Sequence, residues 1–158
     1  MAEEQQQDQG RVTQWVTFNL DNETYGINVM QVQEVLPMAE IAPVPGAPPF
    51  VMGILNLRGN VVTVIDTRMR FGLSHQDAEA SSRVVVIEAN DQIAGILVDS
   101  VTEVVEVSET EVDTAPNVGN EESARYIYGV VSRQEGLLIL VDVNKLLTKE
   151  EWAEVAQM

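Results

Sequence analysis

Apolar residues come in short runs separated by polar breaks along the whole chain, the spacing of strands rather than of long helices. The runs predict strands at Trp15–Leu20, Thr24–Val29, Val35–Ile41, Gly53–Leu57 and Asn60–Asp66. A second set follows at Arg83–Ala89, Gln92–Val98, Val101–Val107, Tyr128–Val131 and Leu137–Asp142. Asp21-Asn22-Glu23 and Asn90-Asp91 are turn residues between paired strands, and Gly59-Asn60 is a further tight-turn signal. The cluster Pro43, Pro45, Gly46, Pro48 and Pro49 breaks regular structure before Phe50. Helix is scarce. Asp66 to Phe71, closed by Gly72, suits a short helix with a Gly stop. Thr148-Lys149-Glu150-Glu151 has capping-box spacing and predicts a last helix over 148–158, with Trp152, Val155 and Ala156 as its apolar face.

The two sets of strands follow one plan. Trp15-Val16-Thr17-Phe18, Tyr25-Gly26-Ile27-Asn28-Val29 and Val32-Gln33-Glu34-Val35 align without a gap on Val84-Val85-Val86-Ile87, Ala94-Gly95-Ile96-Leu97-Val98 and Val101-Thr102-Glu103-Val104. Gly26 thus falls on Gly95 and Glu34 on Glu103. Gly53 and Asp66 are then spaced as Gly129 and Asp142 are. The matched positions are mostly apolar or Gly, so what repeats is a core pattern. It predicts two β modules, about 15–73 and 83–147, with the polar stretch Ser74–Ser82 as an exposed linker. The second module carries a longer stretch between Val104 and Gly129, an insert at Asp113–Ala124 that reads as a surface loop. Within it, Pro116 and Val118 are apolar residues in a segment expected to be exposed.

Composition narrows the possibilities. The chain has 158 residues, 45% hydrophobic but only 5% aromatic, enough for one domain or two subdomains sharing a core. Its net charge of −16 repels phosphate backbones and anionic lipid, which argues against nucleic acid or a membrane surface as partner. No apolar run approaches the ~20 residues that span a bilayer. Residues 1–10 are Glu/Gln/Asp-rich and read as a disordered tail rather than a secretory signal. The absence of Cys rules out thiol chemistry and disulfides and fits the cytoplasm. The single His, His75, lies in the polar linker, where nothing holds it as a catalytic base. No glycine-rich phosphate loop and no Gly-x-Ser-x-Gly elbow occurs. Glu106, Glu109, Glu111 and Asp113 are acidic but lack calcium-loop spacing, and read as a solvated face. No enzyme activity, cofactor or metal is expected.

One polar group interrupts a hydrophobic strand pair. In Gly53-Ile54-Leu55-Asn56-Leu57-Arg58-Gly59-Asn60, alternation places Asn56 and Arg58 on one face and Leu55 and Leu57 on the other. The second module, Gly129-Val130-Val131-Ser132-Arg133-Gln134, has no such Asn-x-Arg. Arg58 reads either as a plain turn arginine or as an arginine held by Glu34, its natural partner, that presents a binding surface. Arg58, Arg68 and Arg70 also lie close in sequence, the place to look for a local basic patch.

These residues resemble the CheW family of chemotaxis coupling proteins. The matching elements are Tyr25-Gly26-Ile27, Val32-Gln33-Glu34-Val35, Phe50-Val51-Met52-Gly53, Asn56-Leu57-Arg58-Gly59, Val64-Ile65-Asp66, Val98-Asp99-x-Val101 and Val141-Asp142-x-x-Lys145-Leu146-Leu147. Thr67 departs from the family, which usually carries Leu there. The resemblance implies an all-β fold of two five-stranded SH3-like barrels around a shared core, spanning 11–150, without catalytic activity. It implies two partners, the cytoplasmic hairpin tip of methyl-accepting chemoreceptors and the regulatory domain of the histidine kinase CheA, assembled in rings beneath the receptors. A receptor helix would lie in the cleft between the modules, against Val29, Val32, Glu34 and Val35 facing Gly95, with Asn56 and Arg58 near that surface. Thr114, Pro116 and Val118 match a loop used in lateral kinase or ring contacts. Other readings of the chain are a coupler of a chemosensory pathway that does not control flagella, or an SH3-like module for an unrelated partner.

Overall fold

The computed structural model describes residues 11–37, 40–114 and 125–157. Segment 1–10 and most of the insert, including Pro116 and Val118, lie outside the described residues. The strands are β1 (Val12–Leu20), β2 (Glu23–Asn28), β3 (Val32–Pro37), β4 (Val51–Leu57), β5 (Asn60–Ile65), β6 (Arg83–Ala89), β7 (Gln92–Val98), β8 (Ser100–Ser108), β9 (Ile127–Arg133) and β10 (Gly136–Val141). The helices are α1 (Thr67–Arg70) and α2 (Lys149–Ala156). Strands β6 and β7 have the expected bounds. Strand β3 does not: it starts at Val32 and ends at Pro37. The side chain of Asn28 accepts from Met30 N and winds Val29–Gln31 into a 3-10 turn, which ends β2 one residue early.

The strands form two five-stranded sheets, ordered β8-β1-β2-β10-β9 and β3-β6-β7-β5-β4. The sheets do not follow the halves of the chain. The expected division into 15–73 and 83–147 is therefore not how the strands are distributed, because each sheet takes one hairpin from one half and three strands from the other. The repeat explains the arrangement. Replacing every strand of one sheet by its counterpart in the other half yields the order of the other sheet. The registers agree as well: Gly26 lies beside Leu140 in the parallel pair β2–β10, and Gly95 beside Val64 in the parallel pair β7–β5.

Three apolar clusters result, because the central strands are covered on both faces. Trp15, Val105, Val107, Val131, Leu138 and Leu140 fill one side of the first sheet. Leu55, Val62, Val64 and Val84 fill the matching side of the second. The opposite faces share a larger core that includes Phe18, Ile27, Ile65, Val85, Ile87, Ile96, Ile139 and Val141. Alternate residues of the run Val84–Ile87 therefore face different clusters, which is why it shows no polar position. Helix α2 lays Trp152 and Val155 on the shared core, while Ala156, expected on that face, is exposed. Its capping box is formed: Glu151 N donates to Thr148 Oγ1 at 3.2 Å and Thr148 N to Glu151 Oε1 at 2.7 Å. Thr67 is buried, and its hydroxyl donates to the Ile65 carbonyl at 3.4 Å.

The recurrent Gly-to-Asp spacing has a structural cause. Asp66 and Asp142 each end a strand and cap the turn after it. Their own amides donate to the equivalent carbonyls of Phe50 and Tyr126, both at 2.8 Å. Gly53 and Gly129 lie where the chain beyond β3 or β8 crosses the sheet end, bridging Ala42 to Ile54 and Asp113 to Val130. A Cβ on Gly53 would collide with the Ala42 carbonyl oxygen, and one on Gly129 with a Val112 methyl. Backbone cannot yield as a side-chain tip can. Gly53→Ala is expected to lower the unfolding free energy by roughly 2 kcal/mol or more. Urea denaturation checks this, and an unchanged midpoint would contradict the account.

Candidate partner-binding face

Strand β3 pairs with β6 through a bulge: Val32 faces Ile87, and Glu34 faces Val86. An extra residue in a strand re-aims the side chains that follow it. Across the same sheet, β4 and β5 are joined by a two-residue turn at Arg58-Gly59, flanked by the pair Leu57↔Asn60. Both turn residues have positive φ, 51° and 88°, the geometry of a type I′ hairpin. Asn56 stabilises it by accepting from Gly59 N at 2.8 Å. The expected role of Asn56 as a neighbour of Arg58 on one strand face thus becomes more specific: it holds the turn that carries the arginine.

Arg58 reaches Glu34 with two hydrogen bonds, Nη1 to Oε1 at 3.0 Å and Nη2 to Oε2 at 2.6 Å. The fork-to-fork geometry fixes both side chains. Strands β3 and β4 occupy opposite ends of their sheet, so the pair ties the two ends together. The pair lies at the surface: the Arg58 side chain is 70% exposed and that of Glu34 29%. A turn tip projects into solvent, and only its arm lies against the protein. Such a pair adds little to stability, so its value is the shape and charge it gives the surface. The hydrogen bonds from Arg58 hold the Glu34 carboxyl below the usual carboxylate range; burial opposes them, and the Arg58 charge adds a smaller lowering.

The other expected site residues are partly brought together. Val29 and Val32 are half-buried, Val32 packing on the shared core, and Val35 is exposed. Gly95 is not on the surface. It is buried in β7, and an added Cβ would lie 2.9 Å from a Val84 methyl, so it serves packing. Thr114 is exposed beside the Asp113↔Val130 bridge. Sequence reasoning missed Met30, 84% exposed between Val29 and Val32, because the segment reads as a strand end. It also missed Asn144. This residue accepts from Gln31 Nε2 and Asn90 N through Oδ1, and from Asn90 Nδ2 and Trp152 Nε1 through its carbonyl. The 3-10 turn that displays Met30 is thereby tied to the β6–β7 turn and to α2. The signal available was Asn28, an Asx-turn residue two positions before Met30.

The arginines do not form a basic patch. Each of the three meets its own carboxylate. Arg68 is buried, with Nη2 2.7 Å from Asp99 and Nη1 donating to the Ser74 carbonyl at 3.1 Å. It anchors the start of the inter-module linker. Arg70 makes a bidentate pair with Glu151 of α2 at 2.9 and 2.8 Å. His75 is exposed and lies 3.1 Å from Asp77. In the acidic stretch, Glu111 accepts from Ser108 N and Glu109 from the Tyr128 hydroxyl. Among the described residues no three acidic or histidine side chains are placed to share a metal ion.

Comparison with known proteins agrees with this architecture. A family model described as CheW-like domain matches residues 14–151. The chain is 34% identical over 149 residues to the chemotaxis protein CheW of Treponema pallidum (strain Nichols), covering 92% of this chain and 88% of that one. It is 31% identical to the chemotaxis protein CheW of Helicobacter pylori over 94% of this chain and 90% of that one. The crystal structure of the scaffolding protein TtCheW from Thermoanaerobacter tengcongensis superposes with a TM-score of 0.78 at 31% identity, covering 85% of this chain and 91% of that one.

A depressed carboxyl pKa gives a test of the pair. Glu34 is expected to titrate below its ordinary 4.5, so the pair persists above that pH and is lost as pH falls through the lowered value. NMR titration of the Glu34 side-chain carboxyl should show the midpoint rising back toward 4.5 in Arg58→Ala. An equal midpoint in both proteins would mean that the pair does not persist in solution.

Proposed function

The chain belongs to the CheW family of non-catalytic chemotaxis adaptors, and from that premise we propose that it couples the cytoplasmic hairpin tip of chemoreceptors to the regulatory domain of the histidine kinase CheA. The observation that carries the reading is the exposed, bidentate Glu34–Arg58 pair beside Val29, Val32 and Val35. An apolar strip edged by a fixed charge pair suits an amphipathic helix. The apolar residues would take the buried face of the receptor helix, and the pair would set its register. Thr114 and the insert that follows belong to the lateral kinase or ring contact on this reading. Closure of each sheet into an SH3-like barrel is part of it too. The bridges Ala42↔Ile54 and Asp113↔Val130 at the sheet ends support closure, as does the Glu34–Arg58 pair in the second sheet. Among the described residues no helix is long and apolar enough to cross a membrane. We place the protein in the cytoplasm, recruited to membrane-associated receptor arrays through its partners.

A double-mutant cycle on Glu34 and Arg58 tests the proposal. Receptor-tip affinity should fall about tenfold in either Ala variant, and the double variant should be no worse than the single ones, since each residue acts through the other. Binding to the kinase regulatory domain should stay within about twofold, and melting should shift by no more than about 2 °C, as an exposed pair requires. Normal receptor-dependent kinase activation by Arg58→Ala would remove the pair from the site. Failure of the wild-type chain to bind either partner would overturn the coupling role itself.

A further inference from the structure

The internal repeat places a second carboxylate where Glu34 stands in the first half. Glu103 is its counterpart, on β8 of the other sheet. The backbone is irregular in the same way: β1 pairs Val16 with Val104 and Phe18 with Val101, so Thr102 and Glu103 together oppose Thr17. That bulge is pinned. Thr17 Oγ1 meets Thr102 Oγ1, donates to the Glu103 carbonyl at 2.9 Å and accepts from Glu103 N at 3.2 Å. Thr17 is buried, so the backbone that carries Glu103 is as firmly set as the one that carries Glu34.

What differs is the other half of the pair. The hairpin equivalent to β4–β5 is β9–β10, and its turn, flanked by Arg133↔Gly136, carries Gln134 in the place of Arg58. Arg133 turns instead to Glu135, 3.9 Å away. No hydrogen bond or ion pair joins the Glu103 side chain to any described residue, and the residue is exposed. Beside it Val104 is 54% exposed, as its counterpart Val35 is exposed beside Glu34.

We propose that the Glu103–Val104 face of β8 is a second docking surface, whose occupant is a protein partner that presents an arginine next to an apolar side chain. The guanidinium would complete across an interface the pair that Arg58 completes within the chain. Arginine is favoured over lysine because a carboxylate held by a pinned bulge rewards a two-pronged donor. The net charge of −16 favours a cationic partner group on approach. This inference rests on the adaptor reading, which requires two separate surfaces for two partners.

The experiment measures affinity of the full chain for two probes, the CheA regulatory domain and the receptor tip. The variants are Glu103→Gln, which removes only the charge, and Glu103→Arg, which reverses it. Glu106→Gln, another exposed acid on the same strand, controls for net charge. For one probe, Glu103→Gln should weaken binding roughly tenfold and Glu103→Arg further. The other probe and Glu106→Gln should be unaffected, with melting unchanged throughout. An arginine of the affected probe changed to Glu should restore binding to Glu103→Arg. Equal effects of Glu103→Gln and Glu106→Gln, or wild-type affinity of Glu103→Gln for both probes, would overturn the inference while leaving the coupling role intact. Absence of wild-type binding to both probes would overturn the two together.

Discussion

The parallel pairing of β2 with β10, and of β7 with β5, is the constraint on which the rest of the molecule depends. Without it each sheet would fall into a three-strand fragment, β8-β1-β2 or β3-β6-β7, and a separate hairpin, β10-β9 or β5-β4, with unpaired edges. With it, a hairpin from one half completes the sheet of the other, and both faces of the central strands become covered. The close approach needs small residues at the junction. Gly26 has Leu140 and Leu138 methyls within 3.5 Å of where a Cβ would lie, and Gly95 has those of Val84 and Val64. The exchange also explains why the shared core draws on both sheets and why neither half is expected to fold alone.

The repeat was legible because it is written in core residues, whose identity is fixed by packing. Both β6 and β7 could be bounded to the residue from the run Val84–Ile87 and the Asn90-Asp91 turn. The exchange of strands between halves was not legible. Period-two alternation gives the faces of a strand but says nothing of which partner lies beside it. The 3-10 turn at Val29–Gln31 was hidden for a related reason, since Val29 continues an apolar run and only the side chain of Asn28 ends it. The resemblance to CheW set Gly95 opposite the receptor-facing residues, whereas the structure buries it in β7.

The partnership of Glu34 and Arg58 could be read from two polar positions in apolar surroundings. Its exposure could not, because alternation does not tell where a strand leaves the sheet and becomes a turn. That distinction changes the meaning of the pair. A buried ion pair would have to be judged by what its loss costs the fold. An exposed one, held by a bulge on one strand and a left-handed turn on another, is better judged by the surface it organises. The energy that fixes it lies in backbone geometry: the β3 bulge, the positive φ at Arg58 and Gly59, and the Asn56 bond to the turn.

The other arginines show the contrast. Arg68 is buried and divides its donors between Asp99 and the Ser74 carbonyl, and Arg70 clamps α2 to the end of α1. Both join segments distant in sequence, and both spend their hydrogen-bonding capacity on protein. Arg58 alone of the three leaves most of its side chain in solvent while its charged end is held still. A duplicated fold makes such differentiation easy. The core positions must stay alike for the exchanged sheets to match in register, whereas turn tips are free to diverge. Divergence at a single tip, Arg58 in one half and Gln134 in the other, is enough to make two surfaces of one framework chemically distinct. That is the property an adaptor needs, since two partners recognised by identical faces would compete for both.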